Sequence, residues 1–279
     1  MVIIEPHIHM YSRTTDDYQA MYSAGIRACV EPSFWLGSNR RYAGTFWDYF
    51  ALILDFEMVR ARRFGIDHFA AVSVNPKEAE NTALVDEVIA GMKEYIEHPR
   101  CVAIGEIGFN NITDNEERAF VRQLRMGAEY DMPIIIHTPH VDKLRGTQRL
   151  IDIIITEGVD QTRVIIDHNT EETMPFTIER TQCWAGMTVY PISKLTPSRV
   201  SQIIKQFGPE RMIVNGSADW GISDALSLPK VVEQMKRDGH DDRAIEMLVF
   251  QNAMSFYGHC EKWKPQLDLK PVDVHEFQR

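Results

Sequence analysis

Cysteine is scarce and scattered. Cys29, Cys101, Cys183 and Cys260 are the only four in 279 residues, with no CxxC and no close pair. A disulfide framework makes little sense of that spacing. The first three fall inside apolar runs, where a free thiol behaves as a small core residue. A reducing, cytoplasmic setting is the expectation. Basic charge is also short: 30 Lys and Arg stand against 40 Asp and Glu, a formal net charge of -10. An acidic surface repels polyphosphates unless a basic stripe is concentrated locally, and no such stripe is present. No apolar run nears the ~18 residues of a membrane span. The first residues carry no basic segment, long apolar stretch or cleavage-like site, so no signal peptide is expected. Low-complexity linkers are absent too.

The remaining composition is ordinary for a soluble domain, 44% hydrophobic and 25% charged, in a chain long enough for one large α/β domain or two small ones. Short β-rich runs alternate with helical patterns. Strands are expected at 2–7, 26–31, 69–74, 101–106, 134–137, 164–168, 184–190 and 212–215. Helices are expected at 16–24, 46–64, 84–96, from the capping box Thr113/Glu116, at 151–157, from Thr196-Pro197, and at 225–236 and 244–256. The clearest helix carries Leu84, Val85, Val88, Ile89, Met92, Tyr95 and Ile96 on one face. Eight strands alternating with helices predict a parallel sheet closed into a single-domain (β/α)8 TIM barrel. An open doubly wound sheet is the alternative, but no GxGxxG turn follows the first strand. The barrel is expected to span residues 1–260, with 261–279 a polar tail packing loosely on its surface.

A barrel places functional side chains at the C-terminal ends of its strands. His7 and His9 end strand one, Glu106 strand four, His137 strand five and His168 strand six, while Asp219 lies just past strand eight. Two histidines one residue apart point to the same face of an extended strand, and neutral imidazole suits zinc and its neighbours. Singly, each of these residues also reads as a hydrogen-bonded rim histidine or a helix cap. Together, four His and two carboxylates at one rim fit two divalent ions (Zn, Mn or Mg). His7, His9 and Asp219 are assigned to one ion, His137 and His168 to the other, with Glu106 bridging. Such a pair lowers the pKa of bound water towards ~7 and polarises the bond attacked, and Asp219 is the natural proton acceptor and donor. Glu106 and Asp219 are thus the catalytic candidates.

Around them, Arg13, Arg40, Arg41, Lys143 and Arg145 are loop cations suited to an anionic group, though loop cations are also simply solvated. Glu31, with Phe34 and Trp35 behind it, either lines the pocket or is a buried, satisfied carboxylate. His140 is a candidate acid or substrate contact, and Tyr190 and Trp220 a candidate apolar wall. Asp167 points the opposite way from His168 along the strand, which argues against its orienting that ligand. His68, His98, His240, His259 and His275 are given no role.

The HxH of strand one, Gly-Glu-Ile-Gly at 105–108, the Pro133-to-Thr138 run around His137, His168 and Asp219 resemble TatD-type metal-dependent hydrolases of the amidohydrolase superfamily. The resemblance spans nearly the whole chain. It implies a (β/α)8 barrel with a binuclear divalent-metal site and hydrolysis as the reaction. Several members of that family are magnesium-dependent deoxyribonucleases; related branches cleave esters, lactones, amides or phosphoesters. The chain departs from the family pattern at Glu5, where Asp is common, at Phe109-Asn110, and at Asn215 to Gly221 in place of a Glu-Thr-Asp or Glu-Ser-Asp signature. Those departures fall on the substrate pocket. The leading expectation is therefore a hydrolase whose activated hydroxide attacks an ester-like, amide or phosphoester bond of a small, anionic-group-bearing substrate. A Mg-dependent deoxyribonuclease and a non-catalytic metal-binding scaffold are the alternatives.

Overall fold

The computed structural model describes residues 1–272. Eight strands, β1 (Ile3–Glu5), β2 (Ile26–Pro32), β3 (Asp67–Val72), β4 (Cys101–Gly108), β5 (Ile134–His137), β6 (Val164–Asp167), β7 (Trp184–Thr188) and β8 (Met212–Asn215), alternate with helices. They form one sheet in the order β1 to β8, every neighbouring pair parallel. The architecture is the expected (β/α)8 TIM barrel, nearly closed. Parallel strands covered on both faces read as continuous apolar runs, and Ile134-Ile135-Ile136 and Val164-Ile165-Ile166 are such runs, all buried. Burying each of these side chains contributes about 1.5–3 kcal/mol.

The seam between first and last strands is bridged just past their ends. Ser217 N donates to His7 O at 2.7 Å, and His9 N donates to Ala218 O at 2.9 Å. Glu5 adds a third link, its Oε1 accepting from Gly216 N at 3.1 Å. The chain's two distant ends thus build one side of the barrel mouth together.

Several boundaries differ from the periodicity reading. The first strand stops at Glu5, because Pro6 has no N–H to continue the ladder; His7 and His9 lie beyond it. The helix expected at 46–64 runs from Ala43–Ala51 through a π turn at Leu52–Phe56 into Glu57–Arg62. The helix expected at 84–96 breaks at Gly91, where a Cβ would lie 2.6 Å from the Trp47 ring, leaving Thr82–Ala90 and Lys93–Glu97. The helix expected at 151–157 is Lys143–Glu157. Its first turns are mostly polar, so the apolar period is visible only near its end.

Of the tail expected at 261–279, residues 273–279, including His275, lie outside the described residues. Trp263 is buried, 4.7 Å from the Phe69 ring and 5.1 Å from that of Tyr257. Gln266 N donates to Asp67 Oδ2 at 2.8 Å, and Val272 N to Arg63 O at 2.9 Å.

Candidate metal centre

Five buried side chains converge at the C-terminal mouth. His7 and His9 follow β1, Glu106 lies within β4, His137 ends β5, and His168 follows β6. They form two groups, His7–His9–Glu106 and Glu106–His137–His168, within each of which the donor atoms all lie within 4.8 Å of one another. Glu106 belongs to both. Its Oε1 is 3.0 Å from His168 Nε2, 3.2 Å from His137 Nδ1 and 3.5 Å from His7 Nε2. Its Oε2 accepts from Asn75 Nδ2 at 3.5 Å.

The far side of each ring decides what the near side offers. His7 Nδ1 donates to Asp167 Oδ2 at 2.7 Å, and His9 Nδ1 to the Pro32 carbonyl at 3.2 Å. In neutral rings both protons are therefore on Nδ1, leaving two Nε2 lone pairs facing each other at 3.3 Å. Two acceptors at that distance repel, and a cation between or beside them resolves the conflict. His168 Nδ1 is 2.6 Å from Thr188 Oγ1, while its Nε2 meets His137 Nδ1 at 3.0 Å; the other nitrogen of His137 has no hydrogen-bond partner among the described residues. This donor set fits divalent cations, with carboxylate and hydroxyl partners orienting the rings from behind.

Charge states agree. Burial pushes His9 down to about 3, and burial also lowers His137 and His168, so these rings stay unprotonated and able to ligate. Burial alone would raise Glu106, but the His7, His137 and His168 rings outweigh it and hold that carboxyl well below the usual range. Glu5, in the barrel interior beneath, is raised to about 8, chiefly by burial.

Local backbone is shaped for this arrangement. His168 adopts φ 62°, left-handed for a non-glycine residue, with its N–H donating to Asp167 Oδ1 at 2.7 Å. Asp167 itself needs Gly186, where a Cβ would sit 2.3 Å from Oδ1. Strand alternation would turn Asp167 away from His168, but the left-handed turn at His168 leaves Asp167 Oδ2 3.7 Å from its Nδ1. Barrel closure also brings it to His7, across the interior, and Asn215 Nδ2 donates to both its oxygens at 3.0 Å.

Three of the donors, Glu106, His137 and His168, open onto a cavity of about 220 Å³. Asp219 lines it but stands outside both donor groups; its Oδ1 accepts from Tyr190 OH at 2.8 Å and Gly221 N at 2.7 Å. His140, Tyr190 and Trp220 line the same cavity. Burial lowers His140 to about 3 and raises the Tyr190 phenol. An aromatic wall runs from His9, stacked 4.1 Å from Phe34, to Trp220 and Trp35.

Arg13 and Glu31 are already engaged by protein partners. Arg13 is committed to Asp17, the Asp219 carbonyl and Ser223. Glu31 is fully buried behind His9, accepting from Tyr11 N at 2.9 Å and pairing with His68 Nε2 at 2.8 Å. Of the other loop cations, Arg40 pairs with Glu78, Arg145 with Asp142, and Lys143 with Thr138 Oγ1 and His168 O. Sequence reasoning passed over Lys77, Lys194 and Ser217, all cavity-lining. Lys194 Nζ is 3.2 Å from His168 Nδ1. Position on a post-strand loop was the only available signal for all three.

Residues 5–217 match the family model described as TatD related DNase. A metal-dependent hydrolase of Methanocaldococcus jannaschii, itself uncharacterized, is 29% identical over 260 residues, 91% of this chain and 99% of that protein. A TatD-like protein from Archaeoglobus fulgidus superposes with a TM-score of 0.76 at 25% identity, covering 91% of this chain and 99% of that one. The phosphotriesterase of Mycobacterium tuberculosis shares the fold, with a TM-score of 0.61 at 14% identity over 92% and 94% of the two chains.

Proposed function

The chain belongs to the TatD-related DNase family and is a metal-dependent hydrolase; from that premise we propose that it uses two divalent cations to hydrolyse a small substrate. The observation that carries this reading is Glu106, one carboxylate shared by two groups of buried imidazoles. His7, His9 and Glu106 would hold one cation, and Glu106, His137 and His168 the other. When bound, such a pair lowers the pKa of a water towards ~7 and polarises the scissile bond.

The chain's own groups do the rest. Asp219 faces the cavity, with Tyr190 and Gly221 holding Oδ1. It accepts the proton of the attacking water and returns it to the leaving group. Tyr190, whose phenol burial keeps protonated, fixes that carboxylate's orientation. The aromatic wall of Phe34, Trp35 and Trp220 excludes water from one side of the reacting bond.

A small substrate is favoured over a polymer because the surface offers little to a run of phosphates. The net charge is -10. Arg118 and Arg122 pair with Asp86, Arg125 with Glu157, Arg149 with Glu117, Arg180 with Asp152 and Arg199 with Glu171. The family's description supports a second reading, a metal-dependent deoxyribonuclease. A panel of esters, amides, phosphoesters and single-stranded DNA, offered to metal-reconstituted protein beside Asp219→Asn, tests both. Salt-sensitive nucleotide release exceeding all small-substrate turnover would establish the nuclease instead.

A further inference from the structure

Two lysines enter the cavity from opposite sides. Lys194 comes from the loop after β7, its ammonium 3.2 Å and 3.4 Å from the two ring nitrogens of His168. Lys77 comes from the turn Pro76–Glu78 after β3, its ammonium 4.3 Å from the Trp35 ring centroid. Both line the cavity. Neither forms an ion pair among the described residues, unlike the arginines paired on the outer surface. Their two charges already balance the cavity's two carboxylates, Glu106 and Asp219. Two divalent cations therefore leave a surplus of positive charge inside a small, partly apolar cavity. In a poorly solvated site that surplus favours an anionic occupant.

Resting on the two-cation reading above, we propose that the substrate is a compact phosphomonoester whose phosphoryl group is bound by Lys194 and Lys77. Its flat or apolar leaving portion lies along Trp35 and Trp220. At the rim Arg13, Arg40 and Arg145 are paired with Asp17, Glu78 and Asp142, so the lysine charge is concentrated at the reacting end. In the reaction the P–O bond to water forms as the P–O bond to the leaving alcohol breaks. The water's proton passes to Asp219 and on to the departing oxygen, with no change of oxidation state. Lysine ammonium groups matched to phosphoryl oxygens make charge-assisted hydrogen bonds, the stronger kind.

The test uses full-length, metal-reconstituted wild type, Lys194→Met, Lys194→Arg and Lys77→Met, with metal content and thermal stability recorded for each. p-Nitrophenyl phosphate, bis(p-nitrophenyl) phosphate and p-nitrophenyl acetate are compared as substrates, and inorganic phosphate binding is measured by calorimetry. Wild type should prefer the monoester. Lys194→Met should lower the monoester-to-acetate ratio of kcat/KM by roughly 10- to 100-fold, and weaken phosphate binding comparably. Lys77→Met should do the same to a smaller extent, and Lys194→Arg should recover much of the ratio. A wild-type preference for the diester or the acetate overturns the proposal, as does an unchanged ratio with unchanged phosphate affinity in both Met variants. Should wild type hydrolyse none of the three, the reading of a small ester or phosphoester as substrate fails separately. Phosphate affinity then decides: weaker binding by the Met variants keeps the lysine subsite, and equal binding removes it.

Discussion

Asp167 Oδ2 lies 2.7 Å from His7 Nδ1, although 160 residues separate them. The carboxylate fixes the tautomer of a ring whose other nitrogen faces the centre, and it raises that nitrogen's basicity. Asp167→Asn keeps the shape and removes the charge. We expect metal affinity at one of two positions to fall about 10- to 100-fold, while the second stays filled. Equilibrium dialysis with elemental analysis reads this directly; equal loss at both positions, or none, would contradict the orienting role.

Glu106 and His9 should separate by stoichiometry. Glu106→Gln removes the donor common to both groups and should leave a protein that retains neither cation. His9→Ala should leave one. Full occupancy in either variant after gel filtration would show that the donor groups have been wrongly drawn.

Asp219→Asn should spare metal content and cost turnover. Asp219 stands outside both donor groups yet lines the cavity, so its loss removes proton transfer without removing a cation. A fall in kcat of about 10²- to 10⁴-fold is the magnitude for a general base. If metal is lost along with activity, Asp219 is a ligand, as the strand-end pattern alone had it.

Glu31 and His68 give a pH signature in stability. Burial raises Glu31 from 4.5 to about 8 and lowers His68 from 6.5 to about 4. Between 4.5 and 8 the folded state keeps a proton on Glu31 that the unfolded chain has released, so this group makes stability fall as pH rises. His68 acts oppositely between 4 and 6.5, where the unfolded chain takes up a proton that the folded state refuses. The two oppose each other between 4.5 and 6.5, and from 6.5 to 8 His68 no longer offsets Glu31, whose effect there adds to that of Glu5, raised to about 8 in the same way. Melting temperature should drop over that upper window in wild type and drop less in Glu31→Gln. Parallel curves for the two proteins would remove Glu31 as a cause.

Much of this was readable beforehand because a barrel strand announces its end. Ile134-Ile135-Ile136 runs straight into His137, and Val164-Ile165-Ile166 into Asp167-His168, so the apolar runs alone point at donors. Asp167 was misjudged for a geometric reason. Alternation does not foresee the left-handed turn at His168, which leaves both side chains facing the interior, nor that β1 lies across the barrel from β6. Lys194 was invisible for another reason. Its reach depends on the loop doubling back, Lys194 N donating to Tyr190 O and Leu195 N to Thr188 O, and no local pattern encodes that return. Glu31 and Arg13 sit at plausible rim positions, yet each is already occupied by neighbours, which only packing reveals.

The bridge that joins Ser217 and Ala218 to the first histidines also has a consequence during synthesis. Ser217 and Ala218, which grip His7 and His9, are made long after them, and Glu5 and Gly216 are 211 residues apart. A growing chain must therefore carry the backbone of its opening histidines unbridged until the final strand emerges, since contacts so remote in order are made late. Any truncated product ending before Asn215 would lack this bridge and leave the wall of the mouth unclosed between first and last strands.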